Sequence, residues 1–140
     1  INSAIFPGTQ GGPLMHMIAA KAQCFIEADT EEFKVYSKNV IDNAKAMCEA
    51  FKECNMPGQA DGTDSHIILM DLSKSKYSGR DAADLLEKNG ITVNKNGVPN
   101  DPRSFVETSG IRIGTAAETT RGHHSQWFRT VAFAIAQLLE

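Results

Sequence analysis

Near the start of the sequence two glycines and a proline, Gly11-Gly12-Pro13, precede an apolar stretch. Glycines that lead into a helix expose backbone N–H groups at the positive end of the helix dipole, and this arrangement suits a phosphate or a carboxylate. Short glycine motifs are also frequent where no ligand binds. The spacing alone therefore favours an ordinary turn before a helix.

A second candidate is Arg112, which stands between Ile111 and Ile113 in a short segment bracketed by glycines. In a strand, Arg112 would project to the face opposite the two isoleucines. Its planar guanidinium can hold a carboxylate through two parallel hydrogen bonds. A solvated arginine on an open sheet face is the more frequent alternative.

The third candidate is the polar segment of residues 94–104, which contains Pro99 and Pro102. Loops of this length in compact domains are often functional. Within it, Asn96 can both donate and accept hydrogen bonds at the edge of a heterocycle. A plain connecting loop is an equally good interpretation.

The four histidines do not indicate a metal centre, because none has a second ligand at metal-site spacing. We expect His16 to be packed and hydrogen-bonded within an apolar helix, and His66 to bond backbone at the start of a strand. His123 and His124 are expected to be solvated. No metal site is predicted.

Composition narrows the function classes further. The 140-residue chain is 41% hydrophobic and carries 14 basic and 17 acidic residues, a net charge of -3. This charge argues against nucleic acid or an anionic membrane as the main partner, and no apolar run approaches the roughly 20 residues of a membrane span. Cys24 is expected to be a buried free thiol. Cysteines without metal-site spacing favour a cytoplasmic location.

Helical periodicity predicts four helices that position these candidates. The first runs from Pro13 to about Ala28, and the second begins with Asp29 as its cap and ends at Pro57-Gly58. The apolar stripe of this second helix consists of Phe33, Tyr36, Val40, Ala44, Met47, Phe51 and Cys54. A third helix is capped by Ser78 and stops at Asn89-Gly90. The last helix covers residues 123–140, after a turn at Arg121-Gly122.

Three strands are predicted among these helices, at residues 66–72, 91–93 and 110–114. The nearly continuous apolar run of the first strand indicates that both of its faces are covered. The order helix, helix, strand, helix, strand, strand, helix predicts an α+β fold with helices on a short sheet. Residues 1–28 lack a sheet of their own and are predicted to be a unit separate from residues 29–140.

Three segments taken together are more specific than any of these motifs alone. They are residues 3–16 (SAIFPGTQGGPLMH), residues 91–102 (ITVNKNGVPNDP) and residues 108–115 (TSGIRIGT). In this order and at these separations they resemble serine hydroxymethyltransferases. Residues 62–66 fit the same family, and the resemblance weakens after Arg121.

The resemblance implies a type I pyridoxal-phosphate enzyme that interconverts serine and glycine and transfers the one-carbon unit to tetrahydrofolate. In that family a large α/β domain holds the cofactor and a small α+β domain closes one side. Residues 1–28 would then be the end of the large domain, and residues 29–140 the small domain. A homodimer or tetramer is implied.

The resemblance also implies roles for individual residues. Arg112 corresponds to the arginine that binds the carboxylate of serine or glycine. Gly11 and Gly12 correspond to the loop that reaches the phosphate of the neighbouring subunit's cofactor. Phe6 corresponds to an aromatic residue near the folate, across the same interface, and Asn96 to the asparagine that hydrogen-bonds the pterin.

A further folate segment is implied at Ser104, Phe105 and Val106, although the serine-proline-phenylalanine order usual in the family is not kept there. The family's Schiff-base lysine would precede Ile1, so we expect the chain to be part of a longer polypeptide and inactive by itself. Two alternatives remain open. One is another type I enzyme, a threonine aldolase or an aminotransferase, and the other is a non-catalytic binding or dimerisation module.

Overall fold

The computed structural model describes residues 1–56 and 62–140. The chain divides into two compact units, Ile1–Val35 and Tyr36–Glu140. The division falls within a long helix, seven residues beyond the sequence-based boundary at residue 28, and the assignment of two domains stays a prediction.

The first unit contains a π-helical turn at Ala4–Thr9 and helix α1 at Met15–Ala28. The predicted start of α1 at Pro13 was wrong, because Leu14 is extended and forms the cap. No residue of α1 is buried. His16 and Cys24 are therefore exposed, contrary to prediction, since this unit has no second layer that could cover an apolar helix face.

Helix α2 spans Glu31–Glu53. Its cap is Thr30 rather than the predicted Asp29, since the Thr30 hydroxyl accepts the backbone N–H of Phe33 at 3.2 Å. Asp29 instead ends α1, donating its N–H to the Phe25 carbonyl. The predicted stop at Pro57-Gly58 lies outside the described residues.

The apolar stripe of α2 was predicted correctly in its second half. Val40, Ala44, Met47 and Phe51 are all buried, as the spacing of three and four residues requires. Phe33, at the other end of the stripe, is exposed. The second half of α2 is thus the part that contributes to the core of the second unit.

The sheet of the second unit has three antiparallel strands in the order β1-β3-β2. They are β1 at Ile67–Asp71, β2 at Asn94–Asn96 and β3 at Gly110–Gly114. The prediction for β3 is confirmed. The strand predicted at residues 91–93 was wrong, because pairing begins at Asn94, in the segment that was predicted to be a loop.

Burial in β1 alternates, so the expectation that both faces are covered was also wrong. Ile68 and Met70 are buried, whereas Ile67, Leu69 and Asp71 are half-buried. The buried face joins β3 and the helices in one core. The opposite face of the sheet is therefore the more accessible one.

Helix α3 occupies Gly79–Lys88, and its predicted cap at Ser78 is confirmed as part of a capping box. The Ser78 hydroxyl accepts the Asp81 N–H at 3.0 Å, and the Asp81 carboxylate accepts the Ser78 N–H. Gly90 has a φ of +79°, as the predicted glycine stop requires.

Two helices complete the unit. The short helix α4, Ala116–Thr120, was not predicted, and α5 covers Ser125–Leu139. The core-facing residues of α5 are Phe128, Ala132, Ile135, Ala136 and Leu139. The second unit is a small α+β fold, as predicted. None of the helices in residues 1–56 and 62–140 is both long enough and apolar enough to cross a bilayer.

Candidate functional site

Arg112 lies in the central strand, on the face of the sheet that the core does not use. Ile111 is 0% exposed and Ile113 is 6% exposed, whereas Arg112 is exposed. The predicted alternation along β3 is thus confirmed. Asn94 of β2 lies directly opposite Arg112, and the Arg112 Nη2 donates to the Asn94 Oδ1 at 3.4 Å. A guanidinium has five N–H donors, so this bond leaves the fork able to bind a carboxylate.

Asn96 lies on the same face as Arg112, because it is two residues from Asn94 in the same strand. It is half-buried and pairs with Gly110 of β3. Its side-chain amide donates to the Gly97 carbonyl at 2.7 Å, and its amide oxygen stays available as an acceptor. The structure therefore brings two predicted site residues together on one accessible face of the sheet, with Asn94 as an addition that sequence reasoning missed.

Gly110 makes this close strand arrangement possible. A Cβ at this position would meet the Val98 Cγ1 at 2.7 Å, the Met70 carbonyl oxygen at 2.8 Å and the Asn96 carbonyl oxygen at 2.9 Å. Two of these neighbours are backbone atoms of the adjacent strands, so they cannot move aside without disturbing the sheet. The residue is glycine because the three strands leave no room for a side chain.

The predicted folate segment forms an exposed turn in the connection from β2 to β3. The Ser104 carbonyl accepts the Thr108 N–H at 2.8 Å, which closes one helical turn. Phe105 is 95% exposed and Val106 is 57% exposed. The Lys95 ammonium donates to the Val106 carbonyl, and this bond ties the turn to β2.

Asp101 organises the same connection from inside. Its carboxylate accepts three backbone N–H groups, from Val98 at 3.2 Å, Arg103 at 2.9 Å and Ser109 at 2.9 Å. A hydrogen bond from the Ser109 side chain, together with those backbone bonds, lowers the pKa of Asp101 from 3.8 to about 2. Hydrogen bonds to the charged form stabilise it relative to the protonated acid.

This lowered pKa predicts an acid-dependent loss of stability. The folded-state pKa lies below that of the unfolded chain, so the stabilising contribution is complete above about pH 4 and is lost as the pH falls towards about 2. Urea unfolding of the wild type and Asp101→Asn should differ at about pH 6, and the difference should shrink between about pH 4 and 2. Asp84→Asn, an exposed change on α3, is the control. A difference for Asp101→Asn that persists unchanged to about pH 2 would refute the assignment.

Arg103 attaches the connection to the rest of the fold. Its Nη1 donates to the Leu72 carbonyl at 3.2 Å and to the Ser109 hydroxyl at 3.1 Å, and its Nη2 donates to the Ser75 carbonyl at 3.1 Å. Leu72 and Ser75 follow β1, so the guanidinium joins segments about 30 residues apart in sequence. Neither Asp101 nor Arg103 was among the candidates from the sequence.

In the first unit, Gly11 and Gly12 are exposed, and a Cβ at either position would meet no atom within 4 Å from the described residues beyond its chain neighbours. Pro13 and Leu14 separate them from α1, so the expectation that the glycines lead directly into the helix was wrong. Their backbone is nevertheless open to an approaching anion. Phe6 is 64% exposed and has extended backbone angles within the π-helical turn.

The histidine pair before α5 differs from the prediction. His124 is exposed, but His123 stacks on Trp127 with ring centroids 4.1 Å apart and approaches the Glu118 carboxylate at 3.5 Å. The spacing of four residues between the two rings was the available signal. His123 is therefore packed rather than solvated.

A cavity of about 450 Å³ lies beside Trp127 and is lined largely by apolar residues that include Ile113 and Phe128. Because Ile113 points away from the Arg112 face, this cavity and the polar candidate site lie on opposite sides of the sheet. Within residues 1–56 and 62–140, no three His, Cys, Asp or Glu residues are grouped so that they could hold a metal ion.

Comparison with known proteins identifies the family. The family model described as serine hydroxymethyltransferase matches residues 1–135. A serine hydroxymethyltransferase of Rhizorhabdus wittichii is 53% identical over all 140 residues, and one of Marinobacter nauticus is 52% identical over the same length. One of Wolbachia pipientis is 51% identical. The chain covers 32%, 34% and 33% of these relatives, so it spans about a third of their length. It belongs to the serine hydroxymethyltransferase family.

Proposed function

We propose that this chain is the C-terminal part of an enzyme that interconverts serine and glycine and transfers the one-carbon unit to tetrahydrofolate. One observation carries the proposal: Arg112 and Asn96 lie on the same accessible face of the sheet. Asn94 lies between them, because it is hydrogen-bonded to Arg112 and is two residues from Asn96 in β2. These are the two residues to which the family resemblance gives the amino-acid carboxylate and the pterin. A site for both substrates thus needs no rearrangement of the sheet.

Arg112 is the residue we assign to the substrate carboxylate. A guanidinium fork fixes both oxygens of a carboxylate and so sets the orientation of the whole amino acid, not only its position. The central strand that carries Arg112 is paired on both sides, which limits the movement of its backbone. The orientation of the bound amino acid decides which of its bonds faces the cofactor.

Asn96 is the residue we assign to the pterin ring. Its amide offers both a donor and an acceptor, which matches the mixed edge of a heterocycle. Ser104, Phe105 and Val106 are assigned to the remainder of the folate. The exposed Phe105 ring supplies an apolar surface there, while Phe6 is assigned to the folate of a neighbouring subunit.

Pyridoxal phosphate, the family's cofactor, supplies an electron sink for the carbanion when it is bound. Within this chain we assign its phosphate to the open backbone of Gly11 and Gly12, across a subunit interface. Among the described residues, and apart from the chain neighbours of each glycine, nothing lies within 4 Å of a Cβ built at either position. This supports the assignment, because a phosphate needs unobstructed access to backbone N–H groups.

The larger architecture is part of the same proposal. We assign the chain to the type I pyridoxal-phosphate fold, with residues 1–28 as the end of its large domain and residues 29–140 as its small domain. A cytoplasmic homodimer or tetramer is the proposed assembly. The exposed apolar residues of the first unit support a partner for it, since none of the residues in α1 is buried.

The activity is tested on the polypeptide encoded by the complete reading frame, here called the full-length enzyme. After it is loaded with pyridoxal phosphate, it should convert serine to glycine at a rate that depends on added tetrahydrofolate. The 140-residue chain by itself should show no turnover. Turnover of hydroxy amino acids or amino transfer without any response to folate would favour an aldolase or aminotransferase. Failure to bind any amino acid would favour the alternative of a non-catalytic binding or dimerisation module.

A further inference from the structure

The connection between β2 and β3, residues 97–109, carries most of the proposed folate contacts. It begins directly after Asn96 and ends directly before Gly110, the residue that pairs with Asn96. The Ser104–Val106 turn lies within it. The position of these contacts therefore depends on how this one connection is held.

Two side chains of the connection hold it. Asp101 binds three of its backbone amides, at residues 98, 103 and 109, and so fixes its internal shape. Arg103 binds the carbonyls of Leu72 and Ser75, and so fixes its position relative to the end of β1. Ser109 links the two anchors, because its hydroxyl accepts from Arg103 at 3.1 Å and its backbone N–H donates to Asp101 at 2.9 Å. We call Asp101, Arg103 and Ser109 the clasp.

The connection that the clasp holds contains two non-glycine residues with a positive φ. Asn100 has a φ of +55° and Thr108 a φ of +57°. The left-handed region is unusual for a β-branched residue such as Thr108. The Thr108 side-chain oxygen is also buried without a partner in the part of the chain that the structure describes. Such conformations persist only where surrounding contacts enforce them, and they concentrate at functional sites.

What the clasp presents to solvent is an apolar turn. Phe105 is almost fully exposed although the residues on either side of the turn are anchored. The backbone amides of Gly79 and Arg80 donate to the carbonyls of Thr108 and Glu107, at 2.9 and 3.0 Å, which fixes the far side of the turn. A rigidly mounted apolar surface loses little conformational entropy when a ligand binds.

We propose that Asp101 and Arg103 are positioning residues for the folate, and that they set folate affinity without affecting the amino-acid site. This inference rests on the proposed function. Arg112 belongs to the central strand and is held by pairing with β1 and β2. Among the hydrogen bonds of residues 1–56 and 62–140, none joins a clasp residue to Arg112 or Asn94. The folate segment and the amino-acid site are therefore held in place by different contacts.

The test uses the full-length enzyme and the variants Arg103→Ala, Arg103→Lys and Asp101→Asn. We expect the KM for tetrahydrofolate to rise between about tenfold and about a hundredfold in Arg103→Ala, because small misplacements of binding groups have effects of this size. The dissociation constant for glycine, measured without folate, should stay within about twofold. Arg103→Lys should restore part of the folate affinity, since a lysine can reach some of the same carbonyls.

Arg129→Ala is the matched control, because Arg129 is also a bonded arginine, paired with both carboxylate oxygens of Glu53. It should leave the KM for folate unchanged. If Arg103→Ala does not fold, the KM for tetrahydrofolate is compared between Arg103→Lys and Arg129→Lys instead. Equal losses of glycine and folate binding, or an unchanged folate KM, would overturn the inference. A wild type without folate-dependent turnover would instead refute the proposed function.

Discussion

Replacing Arg112 with alanine should lower kcat/KM for serine in the full-length enzyme by roughly a hundredfold or more. Loss of a hydrogen-bonded charge partner for a desolvated carboxylate costs about 3 kcal/mol, which corresponds to slightly more than two decades in rate. Arg112→Lys should fall between the wild type and alanine, because the charge remains but the planar fork is lost. The measurement is initial-rate kinetics with serine varied at saturating folate.

Two comparisons separate this effect from a general loss of structure. The Arg112 side chain is exposed and does not contribute to the core, so the free energy of unfolding should change by no more than about 0.5 kcal/mol. Arg121→Ala, at an exposed arginine paired with Glu118, should leave kcat/KM unchanged. An Arg112→Ala enzyme that keeps its kcat/KM for serine would refute the assignment of Arg112 to the substrate carboxylate.

Substituting Gly110 with alanine should lower the free energy of unfolding of the 140-residue chain by about 2–3 kcal/mol, the upper part of the range of about 1–3 kcal/mol that is typical of overpacked cores. The added methyl group would lie 2.8 Å from the Met70 carbonyl oxygen and 2.9 Å from that of Asn96. Because both atoms are backbone, relief requires β1 or β2 to move away from β3. Urea unfolding followed by circular dichroism measures the loss.

Gly114→Ala is the control for this change, since it adds the same methyl group to the same strand. Apart from its chain neighbours, no residue in the described ranges 1–56 and 62–140 comes within 4 Å of a Cβ built at Gly114. Its effect on the free energy of unfolding should therefore stay within about 0.5 kcal/mol. Equal stability losses in the two variants would refute the close approach at Gly110 as the reason for glycine at that position.

The elements that the sequence predicted well are those in which the local signal and the tertiary structure agree. The bounds of β3 follow from its bracketing glycines, and the start of α3 follows from the Ser78–Asp81 capping box. The buried half of α2 follows from its spacing of apolar residues. In each case the residues that define the element also make its main contacts.

Other elements have no such signal. The strand β2 consists of Asn-Lys-Asn at the edge of the sheet, and a polar edge strand lacks the hydrophobic pattern by which strands are recognised. The apolar residues 91–93 next to it carried the strand-like pattern instead. Helix α4 has only five residues, too few for a periodicity to be visible. Thr30 and Asp29 are both good caps, so the sequence could not decide between them.

The candidate site likewise contains features that the sequence predicted and features that it did not. The orientation of Arg112 followed from alternation along one strand, which is a local property. The pterin role of Asn96 came from the family resemblance, and its place on the same face as Arg112 required the register of β2 on β3. Asp101 escaped notice because its partners are backbone N–H groups, which nearly every residue offers. Arg103 escaped notice because its partners are distant, one of them a carbonyl 31 residues earlier in the chain. Spacing within one segment carries no information about such contacts.

The most direct test of the central claim is a crystal structure of the full-length enzyme with pyridoxal phosphate, glycine and a reduced folate bound together. We expect the Arg112 guanidinium to hold the glycine carboxylate through two hydrogen bonds. We also expect the Asn96 amide to hydrogen-bond the pterin on the same face of the sheet. A glycine carboxylate bound by another residue, or a folate on the opposite side of the sheet, would contradict the proposed function.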